Sequence, residues 1–293
     1  MANRYSLIFL FVSLLLLTTL SISCRQHRIP KSITFTKTVK SNDSYLKKEY
    51  NNKRGKKQDC EFINDSLSKK YIPAPLSDRQ EQIIFRKAYI LSYNMDTRIP
   101  NWVAWRLTAD HTDGPIRRMT NFYEEECVAS PRATLEDYRG SGWSRGHMCP
   151  AGDNKWNETA MYESFSLVNV CPQNANLNSG VWNSIEIDCR RWARRYGYVY
   201  IVSGPVLLNK ERETIGANKV VVPEAFFKVI LRMNPQPAAI GFVIRNNGGK
   251  KKKDQFVNTV DDVERITGID FFPTLPDDIE NQVESYSNIE NWK

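Results

Sequence analysis

The chain has 293 residues, of which 41% are hydrophobic and 11% aromatic, and its formal net charge is +8 with a pI near 9.1. This globular composition excludes a chain without a folded core, and the sequence shows no internal repeat, no zinc-finger spacing of cysteines and no base-reading motif. The positive charge suits a polyanionic partner, but the N-terminal arm carries much of the lysine, so charge alone is weak evidence.

Residues 1–24 have the pattern of a secretory signal peptide. Arg4 precedes a nearly unbroken apolar run over residues 7–17, and a small residue comes directly before Cys24. This ending resembles a bacterial lipoprotein box, with Ser21 where leucine is usual. We therefore expect an exported protein: a periplasmic or outer-membrane lipoprotein with a lipid anchor at Cys24, or a secreted protein after plain cleavage. A retained anchor is the third alternative, although the run is short for a membrane span.

Residues 25–70 are polar, rich in lysine and without hydrophobic periodicity, which predicts a basic linker. The remainder, residues 71–293, is roughly 220 residues long and fits one domain with a sizeable core. Strands are predicted in runs rather than in strict alternation with helices, so the predicted fold class is α+β.

Hydrophobic patterns and turn residues predict the elements of this domain in chain order. The pattern predicts a Pro100 turn between the first two strands, a loop over residues 111–118 and a basic turn over 248–253. The predicted strands and helices are strands 86–93, 101–108, 165–171, 198–203, 219–222, 225–232 and 238–245, and helices 177–196 and 259–267.

Residues 137–190 contain the side chains that suit phosphodiester hydrolysis. His147 can accept a proton from water at neutral pH, and the guanidinium of Arg145 offers a planar set of donors for phosphate. Asn178 can give a hard oxygen ligand to Mg²⁺. On the predicted helix, Asn178, Glu186 and Arg190 fall within roughly 120° of one another, and Glu186 and Arg190 can pair.

Each of these residues alone has an ordinary structural explanation. A lone histidine is usually a surface or satisfied core residue, an asparagine at a helix start is usually an N-cap, and Glu186 with Arg190 would most often be a surface ion pair. The combination and its order are what indicate a function.

The same stretch resembles the DNA/RNA non-specific endonuclease family, the ββα-metal nucleases that include endonuclease G. The resemblance covers roughly residues 89–245. The segments that carry it are Asp137-Tyr138-Arg139-Gly140-Ser141-Gly142, Ser144-Arg145-Gly146-His147, Asn169-Val170-Cys171-Pro172-Gln173, and Leu177-Asn178 with Trp182 and Glu186.

The resemblance implies a mixed or antiparallel central sheet with flanking helices and a ββα-metal motif, in an endonuclease domain over residues 71–293. It implies that His147 is the general base, and that Asn178 binds Mg²⁺, or Mn²⁺ or another divalent ion, directly, with Glu186 acting through water. Arg145 and Arg190 would contact the phosphate or leaving group. Arg139 would bind substrate, and Asn169 would shape the site and contact substrate.

The expected substrates are DNA and RNA, cut with little sequence preference to give 5′-phosphate and 3′-hydroxyl ends, and endonuclease G relatives suggest a homodimer. One departure is Ser144, where the family has aspartate, so a catalytically weakened nucleic-acid-binding lipoprotein is the alternative. Of the six cysteines, Cys149 lies two residues after His147, which leaves a cysteine–histidine hydrolase as a third hypothesis.

Overall fold

The computed structural model describes residues 71–248 and 252–293. The predicted signal peptide over residues 1–24, its Cys24, and the predicted linker over residues 25–70 lie outside the described residues. None of the described helices has the length and apolar character that crossing a membrane requires.

Eleven strands and six α-helices make up the described part of the chain. The strands are β1 (Gln82–Phe85), β2 (Ile90–Asn94), β3 (Ile99–Thr108), β4 (Ser144–His147), β5 (Val170–Gln173), β6 (Tyr198–Val206), β7 (Thr214–Ile215), β8 (Val220–Val221), β9 (Ala225–Arg232), β10 (Ala238–Arg245) and β11 (Val257–Asn258). The helices are α1 (Leu135–Tyr138), α2 (Glu158–Ser164), α3 (Ala175–Leu177), α4 (Asn183–Tyr196), α5 (Val260–Thr267) and α6 (Asp277–Glu284).

A seven-stranded sheet, with order β1-β2-β3-β6-β9-β10-β11, forms the centre of the described domain, and every pair of neighbours is antiparallel. Two-stranded sheets β4-β5 and β7-β8 lie outside it. Helices flank this large antiparallel sheet, so the predicted α+β class is confirmed.

Alternating side chains give the central sheet two apolar faces. On β9, Phe226 and Ile230 belong to the hydrophobic cluster that also contains Trp182, which directly precedes α4, and Cys189, which lies on α4. Phe227, Val229 and Leu231 belong to the cluster that contains residues of α5 and α6. The sheet therefore separates α4 on one side from α5 and α6 on the other.

Strands β9 and β10 have the predicted limits, and α5 begins after the predicted start residue Thr259, whose side chain caps it by accepting from the Asp262 amide. Two strand predictions were wrong in part. Residues 86–93 span a turn between β1 and β2, and Pro100 lies inside β3 rather than in a turn. In the predicted strand 165–171, the central residues Leu167–Asn169 form a 3₁₀ turn, and β5 begins only at Val170.

Candidate active site

The hairpin of β4 and β5 presents the Arg-Gly-His segment. The two strands are antiparallel, with Gly146 opposite Cys171 and His147 opposite Val170. The side chain of Gln173 lies against Gly146 so closely that a Cβ there would come within 2.2 Å of Gln173 Oε1. Glycine before His147 is therefore needed for this close approach.

His147 is held in an aromatic pocket and is only 7% exposed. Its ring centroid lies 5.0 Å from that of Phe122 and 4.9 Å from that of Phe165. Burial, and then the charges of Arg118 and Arg145, lower the pKa of His147 to about 3, so the imidazole is neutral at physiological pH. Its Nε2 is buried and has no hydrogen-bond partner among the described residues, which leaves a ring nitrogen free to accept a proton.

Asn169 fixes the chain directly after His147. Its amide group donates to the carbonyl oxygens of Cys149 (2.9 Å) and Ser164 (2.8 Å), and its Oδ1 accepts from the amide of Cys149 (2.9 Å). The side chain is fully buried. The expectation that Asn169 contacts substrate is therefore corrected, because its hydrogen-bonding groups are used inside the protein and support the segment that carries His147.

Asn178 and Glu186 lie on one continuous helical segment that contains an irregular turn. A π-helical turn, Asn178–Trp182, joins α3 to α4, and Gly180 within it has non-helical φ and ψ of −98° and −115°. The segment is therefore kinked at Gly180, between Asn178 and Glu186.

Arg190 is oriented by Asp153 rather than by Glu186. Its Nη1 lies 2.8 Å from Oδ1 of the buried Asp153, whose Oδ2 accepts from the indole nitrogen of Trp105 at 3.1 Å. Gly152 permits this approach, since a Cβ there would lie 2.8 Å from Arg190 Nη1. The i,i+4 pair of Glu186 and Arg190 that the sequence suggested is thus replaced by an ion pair with another segment.

Glu186 is partly exposed and has a perturbed ionisation. Burial raises its pKa to about 7, against the opposing effects of the positive charges of Lys228, Arg190 and Arg118. Arg118 also lowers the pKa of His147, so one guanidinium acts electrostatically on both the hairpin and the helix. Arg118 therefore lies close enough to both His147 and Glu186 to affect the ionisation of each.

A cavity of about 550 Å³ opens beside Arg145. The guanidinium carbon of Arg145 lies 4.7 Å from the centre of the Phe122 ring, the same ring that contacts His147. The cavity is lined by three arginines, three aromatic residues, a leucine and the serine that replaces the family aspartate: Arg118, Arg139, Arg145, Phe122, Tyr138, Trp143, Leu135 and Ser144. Arg139 and Arg145, both predicted from the sequence, are exposed here.

Sequence reasoning missed Arg118, Asp153 and Lys228. Lys228 is fully buried on β9, its Nζ donates to Ser203 Oγ at 3.3 Å, and it lies 4.5 Å from the ring centre of Trp182 and 5.1 Å from that of Trp105. A lysine in the otherwise apolar Phe226–Ile230 pattern was a signal, because buried lysines are rare unless their charge is compensated.

The cysteine–histidine hydrolase hypothesis does not fit this geometry. Cys149 is fully buried, burial raises the pKa of its thiol well above the usual value, and the Asn154 amide lies 3.5 Å from its sulfur. A thiol nucleophile requires the opposite environment, with a lowered pKa and access to substrate. Cys149, Cys171 and Cys189 are free thiols, and all three are buried.

The β4-β5 hairpin followed by the α3–α4 segment is a ββα-metal motif, and the protein is accordingly a member of a nuclease class. The model of the DNA/RNA non-specific endonuclease family matches residues 68–278, and the chain belongs to that family. The family is one of metal-dependent, hydrolytic nucleases.

Within the family, the chain is similar to two mitochondrial nucleases. Nuclease EXOG of Mus musculus is 41% identical over 205 residues, which cover 64% of this chain and 56% of the relative. Endonuclease G of Homo sapiens is 34% identical over 209 residues, covering 66% and 70% respectively. The chain spans 56–61% of the length of the EXOG relatives that it matches.

A solved structure of the EndoG/EndoGI complex superposes with a TM-score of 0.64 at 31% identity, covering 67% of this chain and 87% of that chain.

Proposed function

We propose that this protein is a metal-dependent endonuclease that hydrolyses phosphodiester bonds of DNA and RNA with little sequence preference. The observation that carries the proposal is His147: a neutral, buried imidazole with a free Nε2, whose neighbour Arg118 also acts on Glu186 of the facing helix. Family membership supports the reaction class.

The helix offers ligands that fit a hard divalent cation. Asn178 is half-buried and its side chain makes no hydrogen bond with another described residue, while Glu186 presents a partly exposed carboxylate further along the same helical segment. Asn178 would hold the ion directly and Glu186 through water, and water would fill most other positions. We propose Mg²⁺, with Mn²⁺ as the alternative. When bound, the ion would stabilise negative charge on the phosphoryl and leaving oxygens.

In the proposed reaction His147 accepts a proton from a water molecule whose oxygen attacks phosphorus. The bond from phosphorus to O3′ breaks, the leaving oxygen takes up a proton from solvent, and the products carry 5′-phosphate and 3′-hydroxyl ends. Arg145 would contact the phosphate with its exposed guanidinium. Arg190, with one nitrogen held by Asp153, would present the rest of its guanidinium to the phosphate or leaving group.

The cavity beside Arg145 would hold the adjoining nucleotides. Arg118, Arg139 and Arg145 offer three cations to backbone phosphates, and the rings of Phe122 and Trp143 offer faces against which bases can stack. Contacts of these two kinds do not distinguish one base from another, which supports low sequence preference.

The proposal is tested by cleavage of supercoiled plasmid and of single-stranded RNA, with Mg²⁺ and with excess EDTA. We expect EDTA to abolish cleavage, and His147→Ala and Asn178→Ala each to lower the rate by roughly 100-fold or more. His111→Ala and Asn183→Ala are matched controls, since His111 stacks on Trp156 and Asn183 is exposed at the start of α4. Cleavage by either site variant at the wild-type rate would refute the mechanism.

We further propose that the protein is exported, either as a lipoprotein anchored at Cys24 or in secreted form, and that it forms a homodimer. The support is the sequence of residues 1–24 and the family resemblance. Mass spectrometry of the mature N-terminus in fractionated cells separates the alternatives. A full-length N-terminus inside the cell would contradict export, and a monomer in sedimentation equilibrium would contradict the dimer.

A further inference from the structure

Three carboxylates come together between α5 and α6, on the face of the sheet opposite α4. They are Asp261 and Glu264 on α5 and Glu284, the last residue of α6, and one carboxylate oxygen of each lies within 4.8 Å of the others. The apolar residues of both helices belong to the cluster behind the sheet, whereas His147 and α4 lie on the other side. This group is therefore separate from the candidate active site.

Glu284 is the buried member of the group. Its residue is only 6% exposed, and its Oε1 is buried with no hydrogen-bond partner in the described part of the chain. A buried carboxylate oxygen without a donor is destabilising, and native structures rarely leave one unsatisfied.

The neighbouring groups do not supply a positive charge. Within residues 71–248 and 252–293, Asp261, Glu264 and Glu284 form no ion pair, and Arg265 of the same helix pairs instead with Asp262. Glu264 Oε1 accepts one hydrogen bond, from the amide of Phe271 at 2.7 Å. The three carboxylates therefore lie within 4.8 Å of one another without a positively charged partner among the described residues.

We propose that Asp261, Glu264 and Glu284 bind a divalent cation, preferentially Ca²⁺, that links α5 to α6. Ca²⁺ binds oxygen at about 2.3–2.6 Å and so can contact oxygens roughly 5 Å apart, whereas Mg²⁺, at about 2.0–2.1 Å, spans only about 4 Å. Oxygens within 4.8 Å of one another can all contact one Ca²⁺. Three carboxylates around one ion also suit Ca²⁺ better than Mg²⁺, which usually takes one or two and keeps several waters. Waters would complete the coordination.

The competing occupant is the proton. Without a cation, burial and then the charges of Glu264 and Glu280 raise the pKa of Glu284 to about 9, and burial raises that of Glu264 to about 7. If the site bound only protons, neutral glutamine would serve as well as glutamate at position 284. If it binds Ca²⁺, glutamine removes a ligand that the ion requires.

The experiment uses the full chain carrying Asn178→Ala, so that the candidate active-site ion does not contribute, after EDTA treatment and buffer exchange. We expect added CaCl₂ to raise Tm by roughly 5–10 °C at about 100-fold over Kd, and MgCl₂ to raise it less. Glu284→Gln should abolish the rise. Asp278→Asn, an exposed change on the same helix, should leave it intact.

Equilibrium dialysis with radioactive Ca²⁺ counts the ions directly and does not depend on the stability of one variant. One ion per chain is expected in the Asn178→Ala protein, and none when Glu284→Gln or Asp261→Asn is added. An equal Tm rise or equal Ca²⁺ uptake with and without Glu284→Gln would overturn the proposal. So would the absence of any Ca²⁺ uptake together with a more stable Glu284→Gln protein, which would identify a protonated cluster.

Discussion

His147 is enclosed and kept neutral by groups from other segments of the chain. The groups that lower its pKa and enclose its ring, Arg118, Phe122 and Phe165, come from segments that are distant from it in the chain. No local pattern around His147 specifies them, because they meet only through tertiary packing. Asn169 shows the same limit: its motif position was recognised, but its three buried hydrogen bonds were visible only in the structure.

The buried, neutral state of His147 makes stability depend on pH. Its pKa falls from about 6.5 in the unfolded chain to about 3 in the folded protein, so between these values only the unfolded chain takes up a proton. The free energy of unfolding should therefore decrease as pH falls below 6.5. In His147→Gln this contribution is absent. Between pH 6 and 4, the free energy of unfolding of this variant should therefore change less steeply with pH than that of the wild type, by up to about 1.4 kcal/mol per pH unit.

Urea titrations of the metal-free wild type and His147→Gln from pH 7 to 4 measure this difference. His111→Gln is the control: the His111 pKa is also lowered by burial, but its ring is partly exposed, so its effect on the slope should be smaller. Parallel stability curves for wild type and His147→Gln would show that the imidazole is not held in its neutral form.

Periodicity predicted the helix that carries Asn178 and Glu186, but not its π turn. The apolar residues from Leu177 to Trp192 recur at helical intervals, so the pattern predicts one regular helix and does not reveal the irregular turn Asn178–Trp182. The predicted strand 165–171 failed for a different reason. Its residues are buried, yet the middle three form a local 3₁₀ turn instead of pairing with a neighbouring strand.

Deleting Ser179 tests whether the π turn positions the metal ligand. The residue is exposed, and its Oγ donates only to the Ala175 carbonyl oxygen, at 2.9 Å. Removing one residue leaves Asn178 and Glu186 seven residues apart, a spacing that a regular α-helix places within about 20° of one face. We therefore expect the deletion variant to keep nuclease activity within roughly tenfold of the wild type, with a small change in helix content by circular dichroism. Ser179→Ala should keep both, and a folded but inactive deletion variant would show that the irregular turn itself is needed.

At the scale of the whole molecule, the sheet separates two charged regions. The candidate active site and its arginine-lined cavity lie on the α4 side, and the acidic group of α5 and α6 lies on the other. The sequence predicted one α+β domain and the strands of its sheet. It did not predict the cavity, because three of its residues, Arg118, Phe122 and Leu135, come from a stretch with little regular structure between β3 and β4.

This division of charge predicts which arginines affect binding to nucleic acid. Each phosphate contact in B-DNA contributes a slope of about 0.9 to the dependence of log K on log salt concentration. In a His147→Ala background, which keeps the substrate intact, Arg118→Gln and Arg139→Gln should each lower that slope by roughly one. Arg265→Gln, which changes an exposed arginine of α5 on the opposite face, should leave the slope unchanged although it alters net charge equally.

Fluorescence anisotropy of a labelled duplex across NaCl concentrations measures the slope. Equal effects of all three changes would mean that overall charge, and not the cavity, attracts the substrate.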